Sequence, residues 1–183
     1  MRLRSYSSEA IVLARRNWGE ADRILVIYSK SFGKKRLLAK GVRRPKSRKR
    51  GHIEVFSNLK FSASRGKGLD LMTEAEIIEN FSIIRKDLKK VAVAYFLMET
   101  VGRITHDEEK NERLFELMIS YLKKLEFQEE VNLKKLRSNF VYDCLVLLGF
   151  WPKGKIMEDP DGFLREITER EISSIRIGKK LLT

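Results

Sequence analysis

The spacing of hydrophobic positions changes once along the chain. Up to about residue 80 they come in short runs or alternate with polar residues; from Ser82 they recur every three or four residues. The first pattern predicts strands, the second helices. Ile11-Val12-Leu13 opens the strand series, and Trp18-Gly19-Glu20-Ala21-Asp22 reads as a turn. Arg23-Ile24-Leu25-Val26-Ile27-Tyr28 is rich in β-branched and aromatic residues and predicts a strand buried on both faces. Phe32-Gly33-Lys34 turns the chain back. Leu37, Leu38 and Val42 mark a third strand, with Gly41 at a bulge or bend. Arg43 to Gly51, containing Pro45, predicts an exposed, mobile loop. Ile53, Val55, Leu59, Phe61 and Ala63 then share one face, Ser64 to Gly68 supplies a hairpin turn, and Leu69, Leu71, Thr73, Ala75 and Ile77 alternate again. Five short strands of this kind suit a small closed barrel, which leaves no sheet edge open.

In the second part, Ile84, Leu88, Val91, Tyr95 and Met98 step along one face of a helix running towards Ile104, and His106 to Lys110 breaks it. A second helix aligns Leu114, Met118, Tyr121 and Leu125, with Asn111 as its N-cap. A third aligns Leu133, Leu136, Phe140, Cys144 and Leu147 and stops near Gly149, with Pro152 just beyond. Glu158 to Gly162 reads as a polar loop. Thr168 and Glu171 have capping-box spacing, and Ile167 with Ile172 have staple spacing, so a last helix is expected from Thr168 to near Gly178. The fold class is α+β in two domains: a five-stranded barrel over residues 1–80 and an all-α domain over 81–183.

Charge sharpens the division. The 183 residues carry a formal charge of +13, but residues 1–68 hold 19 Lys and Arg against four acids, whereas the remainder is close to neutral. Between Lys30 and Arg50 there are eleven cations and no acid. Such a cluster repels itself unless counter-charge arrives, and nucleic-acid phosphates supply it with release of bound cations. The competing reading, a solvated loop that only aids solubility, does not need eleven cations without an interspersed acid. The DNA-binding candidates are therefore Lys34, Lys35, Arg36, Lys40, Arg43, Arg44, Lys46, Arg48, Lys49 and Arg50, joined by Arg65 and Lys67 in the hairpin turn. Trp18 and Phe32 at turns, and Phe56 on the face opposite Ile53 and Val55, are the candidates for base stacking; Phe61 falls on the core face. No side-chain set looks built to read base edges, so little sequence preference is expected and affinity should fall steeply with salt.

Signals for bond-making chemistry are weak. There is no G-x-x-x-x-G-K-[ST], and Gly66-Lys67-Gly68 lacks the third glycine and following helix of a dinucleotide site. His52 and His106 have no partners at metal-ligand spacing; His106-Asp107 reads as solvated loop rather than an acid–base pair. Asp159 and Asp161 are a fragment of a calcium loop without the remaining ligands. The single cysteine, Cys144, allows neither an internal disulfide nor a multi-cysteine zinc cage and fits an inert core thiol. No catalytic residue, metal or cofactor is expected. No apolar run approaches a membrane span and the N-terminus has no secretory h-region, so a soluble intracellular protein is expected.

An ordered set of segments resembles the RecO family of bacterial recombination mediators. It comprises Glu9-Ala10-Ile11-Val12-Leu13, Gly19-Glu20-Ala21-Asp22-Arg23-Ile24-Leu25, Phe32-Gly33-Lys34 and the run from Ala39 to Arg48. Arg65-Gly66-Lys67-Gly68-Leu69, Glu74-Ala75-Glu76, Arg85-Lys86-Asp87-Leu88 and Leu147-Leu148-Gly149-Phe150 with Pro152 continue it. The resemblance spans roughly residues 8–152. It implies an OB-fold followed by a helical domain, binding of single- and double-stranded DNA, strand annealing, and no cofactor. It also implies partnership with RecR and with the acidic tail of single-stranded-DNA-binding protein, so that RecA is loaded during recombinational repair, in the cytoplasm and associated with the nucleoid. Many members carry a four-cysteine zinc module after the Leu-Gly-Phe/Tyr segment; Trp151 to Leu164 has no cysteine, so zinc is not expected here. The C-terminal region, ending Ile177-Gly178-Lys179-Lys180-Leu181-Leu182-Thr183, is short against the family pattern.

Two other classes stay open at this point. One is an RNA- or ribosome-associated OB protein, since an OB groove tolerates either sugar. The other is a metal-dependent nuclease using Asp159 and Asp161.

Overall fold

A computed structural model describes residues 5–47, 51–128 and 132–168. Five strands come first: β1 (Ser5–Trp18), β2 (Asp22–Ser29), β3 (Gly33–Ala39), β4 (Asn58–Ser64) and β5 (Asp70–Glu79). A 3-10 turn at Ile84–Lys86 then leads to α1 (Leu88–Ile104), α2 (Glu112–Phe127), α3 (Leu133–Leu147) and α4 (Pro160–Thr168). The strands close into a barrel in the order β1-β2-β3-β5-β4, and β4 returns to β1. Every pairing is antiparallel except a short parallel seam, Leu37 beside Asp70 and Leu38 beside Leu71. This is the five-stranded OB-fold followed by a helical region.

Alternate residues of all five strands fill the barrel: Ala10, Val12, Leu25, Ile27, Leu37, Ala39, Leu59, Phe61, Ala63 and Met72 are fully or almost fully buried. Each large side chain so buried contributes about 1.5–3 kcal/mol, which is why the inward phase of each strand is strongly specified. Three bulges then shift that phase in ways that alternation alone does not reveal. In β1 the pairing steps from Val12–Ile27 to Ala14–Val26, leaving Leu13 as the extra residue. In β5 the pairing passes over Thr73, so Met72 points inward while Thr73 is exposed. A second irregularity in β5 lies between the Asn58–Glu79 and Leu59–Ile77 pairs. The predicted face Leu69-Leu71-Thr73 is thus not the core face: Leu69 is exposed and Leu71 half-buried.

Other expectations need correction. β2 buries Leu25 and Ile27, but Ile24 and Val26 on its outer side are only half-buried. Val42 is in the core from a turn rather than from β3, because Gly41 (φ 65°) takes the chain out of the strand. Ile53 and Val55 are buried from an irregular segment that precedes β4.

The chain divides into two compact units, each with its own core. One comprises the described residues up to 80 together with 105–115; the other comprises 81–104 and 116–168. Residues 105–115, expected within the helical domain, therefore go with the barrel. They add a parallel bridge between Asp107 and Lys34, and the Glu108 N–H donates to the Lys34 carbonyl at 2.8 Å. This covers the part of β3 that lies before the seam with β5.

In the helical unit, α1 buries Val93, Ala94, Phe96, Leu97, Met98, Thr100 and Val101. The predicted stripe is displaced: Leu88 is 66% exposed and Tyr95 43%, because the helix is covered on more than one side towards its C-terminal half and the true buried set runs through Val93 and Phe96. The second helix is as predicted, with Asn111 Oδ1 accepting the Leu114 N–H at 3.0 Å and Leu114, Met118, Tyr121 and Leu125 buried. α3 buries Leu136, Phe140 and Cys144, and Gly149 (φ 80°) follows its end.

The expected polar loop at 158–162 is instead the start of α4. Asp159 Oδ1 accepts the Gly162 N–H at 2.9 Å as a cap, and Pro160 sits in the first helical position, where its missing N–H costs nothing. Thr168 is not a cap: its hydroxyl donates back to the Leu164 carbonyl within the helix. The helix expected from Thr168 to Gly178 lies otherwise outside the described residues.

Candidate nucleic-acid interface

The predicted cations separate into two sets along β3. Lys34 stands near its start and Lys40 just past its end, about 20 Å apart at strand rise.

At the Lys40 end the chain makes a compact turn rather than an open loop. The Arg44 N–H donates to the Gly41 carbonyl at 3.1 Å, and the Ser47 N–H to the Arg44 carbonyl at 3.0 Å. That turn is tied to the β1–β2 hairpin. The Gly41 N–H donates to Asp22 Oδ1 at 2.7 Å and the Arg43 N–H to the Ala21 carbonyl at 2.9 Å. Arg43 Nη1 reaches the Gly19 carbonyl at 3.0 Å. Lys40, Arg44 and Lys46 are exposed and Arg43 half-buried. Among the described residues no carboxylate stands within ion-pair distance of these four. Arg48, Lys49 and Arg50 lie outside the described residues.

The Lys34 end is different. Lys34, only 9% exposed, donates to the Thr105 carbonyl and stands 3.4 Å from Asp107. Lys35 pairs with Glu108 at 2.9 Å and with Asp70 at 3.6 Å. Arg36, the most exposed of the three, stands 3.5 Å from Asp107. Lys30 pairs with Glu112 at 3.3 Å. Asp107 and Glu108, in the segment 106–110 read from the sequence as a break between helices, and Glu112, at the start of α2, thus lay carboxylates over four cations. Lys34 is largely buried, with its ammonium engaged by a carbonyl and a carboxylate.

Arg65 and Lys67 are exposed in the β4–β5 loop. That loop is held by Asp70, whose Oδ1 accepts the Gly66 N–H at 3.1 Å and whose Oδ2 accepts the Tyr6 hydroxyl at 2.6 Å. Burial works against the Asp70 charge, yet the Tyr6 and Gly66 hydrogen bonds and the positive charges of Lys35 and Arg65 outweigh it, so its carboxyl is held below the usual range.

The stacking candidates separate as well. Phe56 is 1% exposed: the chain takes a positive φ there and its N–H donates to the Val12 carbonyl, so its ring has no free face. Phe32 packs edge-on against Tyr6, ring centroids 4.8 Å apart, over the barrel core. Trp18 alone of the three is open, at 53% exposure, with the Arg16 guanidinium 5.5 Å from the centre of its ring. Arg16 was missed in the sequence. The signal available was its place two residues before an aromatic at a hairpin tip, which puts both side chains on one face of the strand.

The remaining chemistry-bearing residues are absorbed by structure. Asp159 caps α4, and Asp161 pairs with Arg137 at 2.5 Å while the Arg137 guanidinium lies over the Phe96 ring at 4.0 Å. Cys144 is wholly buried; burial first, and the neighbouring Asp143 charge second, push its thiol up.

Comparison with known proteins fits this architecture. The family described as Recombination protein O N terminal matches residues 1–81, and its counterpart, Recombination protein O C terminal, matches residues 85–154. The chain belongs to the RecO family. The DNA repair protein RecO of Pelotomaculum thermopropionicum is 35% identical over 150 residues, covering 82% of this chain and 57% of that protein. That of Roseiflexus sp. is 33% identical over 153 residues, covering 84% and 53%. That of Desulforamulus reducens is 38% identical over 120 residues, covering 66% and 47%. The chain therefore spans about half the length of the RecO relatives it matches. Among the described residues no helix is long and apolar enough to cross a membrane.

Proposed function

We propose that this chain acts in DNA repair as a recombination mediator that binds single- and double-stranded DNA and promotes annealing of complementary strands. In this reading it also helps load RecA onto strands coated with single-stranded-DNA-binding protein, with RecR and the acidic tail of that protein as partners. The observation that carries it is the cation set Lys40, Arg43, Arg44 and Lys46, carried on a turn tied to the β1–β2 hairpin and, among the described residues, with no carboxylate within ion-pair distance. The pinning lowers the ordering cost of binding a phosphate chain. Binding two strands at one positive surface lowers their mutual repulsion, and annealing requires no bond to be made or broken in the protein. The relatives' names as DNA repair proteins and their likeness to both domains support the same reading.

The test replaces Arg43, Arg44 and Lys46 together by Ala. Affinity for a single-stranded oligomer falls at least about tenfold at moderate salt, and the salt-dependence slope becomes shallower by about 2. Annealing of strands coated with single-stranded-DNA-binding protein slows in parallel. Retention of both affinity and slope places the grip elsewhere. A clear preference for RNA oligomers with no annealing would favour an RNA-binding role instead.

A further inference from the structure

We infer that the tip of the β1–β2 hairpin is a stacking site for an unpaired nucleobase, built from Trp18 and Arg16, and that it makes DNA binding selective for single strands. This deepens the proposed DNA-binding role and rests on it. The β1 bulge is the starting observation. Ala10 and Val12 point into the barrel, and unbroken alternation would send Ala14, Arg16 and Trp18 the same way. The extra residue at Leu13 reverses the phase, so Ala14 pairs with Val26 and Arg16 with Ile24, both on the outer side of β2. Next along the sheet, Ile24 pairs with Leu38 and Val26 with Arg36. The outer face of β1-β2-β3 thus holds two rows, Arg16–Ile24–Leu38 and Ala14–Val26–Arg36, with Trp18 at the hairpin end. Half-buried aliphatic side chains are flanked by guanidinium groups and one open indole.

A nucleotide presents an anionic phosphate and a flat base joined by a sugar. The hairpin tip presents the matching pair. The Arg43 guanidinium is fixed to the carbonyl of Gly19, the residue next to Trp18, and the Arg16 guanidinium lies over the indole, 5.5 Å from its centre. A lone exposed aromatic is ordinary on a protein surface. Here it stands beside the anchored Arg43, which among the described residues has no carboxylate within ion-pair distance, whereas the cations at the other end of β3 face Asp107, Glu108 and Glu112. Away from its two ends, a duplex keeps its base faces stacked internally and offers the hairpin tip only phosphates. A single strand offers phosphates and a base, so the indole adds affinity for the single strand alone.

The experiment uses the full chain with Trp151→Phe, which leaves Trp18 as the only tryptophan. Titration with a thymidine oligomer quenches its fluorescence, and a blunt duplex of equal length quenches it much less. Trp18→Ala lowers affinity for the oligomer by about 5- to 150-fold, the range for loss of one stacked base, and leaves duplex affinity within about twofold. Trp18→Phe restores part of the loss. Equal loss for both DNA forms, loss for neither, or equal quenching by both overturns the stacking site. The two readings fail distinguishably. A chain that binds neither DNA form refutes the DNA-binding role. A chain that binds DNA through Arg43, Arg44 and Lys46 but is indifferent to Trp18→Ala refutes only the stacking site.

Discussion

The Tyr6 hydroxyl donates to Asp70 Oδ2 at 2.6 Å, joining the first strand of the barrel to the strand that closes it. Asp70 also stands opposite Leu37 at the parallel seam and accepts from the Gly66 N–H. One carboxylate thus holds the β4–β5 loop and the closure point together.

That relationship predicts a pH signature. The Asp70 carboxyl is lowered in the folded state, so its contribution is complete above the ordinary carboxylate value near 4 and is lost as pH falls through the folded value. Tyr6 is raised, by burial first and by Asp70 second, so its contribution fades as pH rises past about 10. Tyr6→Phe lowers stability by about 1.5–3 kcal/mol near pH 7, the range for a hydrogen bond to a charged group. Thermal melts of both proteins at pH 7 and pH 3 check it: the gap in Tm narrows on the acid side. A gap independent of pH means that the hydroxyl acts through packing alone.

The acidic segment over β3 predicts a gain of binding. Asp107→Asn with Glu108→Gln removes the charges facing Lys34, Lys35 and Arg36. DNA affinity rises and the salt slope steepens by about 0.7–1.4, as Lys35, Arg36 or both join the phosphate contacts. Losing the exposed Arg36–Asp107 and Lys35–Glu108 pairs changes stability by less than about 1 kcal/mol each, whereas losing Asp107 from the buried Lys34 ammonium costs more. Unchanged affinity would show that burial, rather than charge, keeps these cations from DNA.

Two glycines with similar backbone angles should respond differently. Gly33 (φ 67°) leaves no room for a side chain, since a Cβ there meets the Glu109 backbone carbonyl, whereas Gly19 (φ 56°) faces open space. Gly33→Ala costs more than about 2 kcal/mol, because strain adds to displacement of the 105–109 segment. Gly19→Ala costs about 1–2 kcal/mol, the strain alone. Urea unfolding of the two variants provides the comparison.

In the helical unit, buried Glu126 accepts the Ile83 N–H at 3.0 Å and the Ile84 N–H at 2.8 Å, capping the 3-10 turn that leads into α1. Glu126→Ala leaves two donors without their carboxylate and costs about 2–3 kcal/mol in chemical denaturation. Glu126→Gln retains an acceptor oxygen and costs less. Equal costs would assign the loss to packing of the side-chain stem.

Much of this molecule is legible from local pattern. Alternation and turn residues mark the strand segments, the change of period near Ser82 marks the helices, and Asn111 is recognisable as a cap because its chemistry is local. Asp159-Pro160 carried an equally local signal, a cap followed by proline at the first helical position; reading the surrounding acids and Gly162 as a polar loop obscured it. For the interface, the sequence determined that the barrel is basic and that the charge peaks after Lys30.

Which cations face outward was decided only by the tertiary structure. Asp107, Glu108 and Glu112 lie about seventy residues or more from the lysines and arginine they neutralise, and no local pattern announces a pairing at that separation. The openness of Trp18 has the same origin. A single extra residue at Leu13 reverses the strand's phase, and a bulge is a property of the register between two strands rather than of either sequence alone. Local propensity is a short-range quantity, so it specified the elements; pairing, phase and charge cancellation are long-range, so they awaited the folded chain.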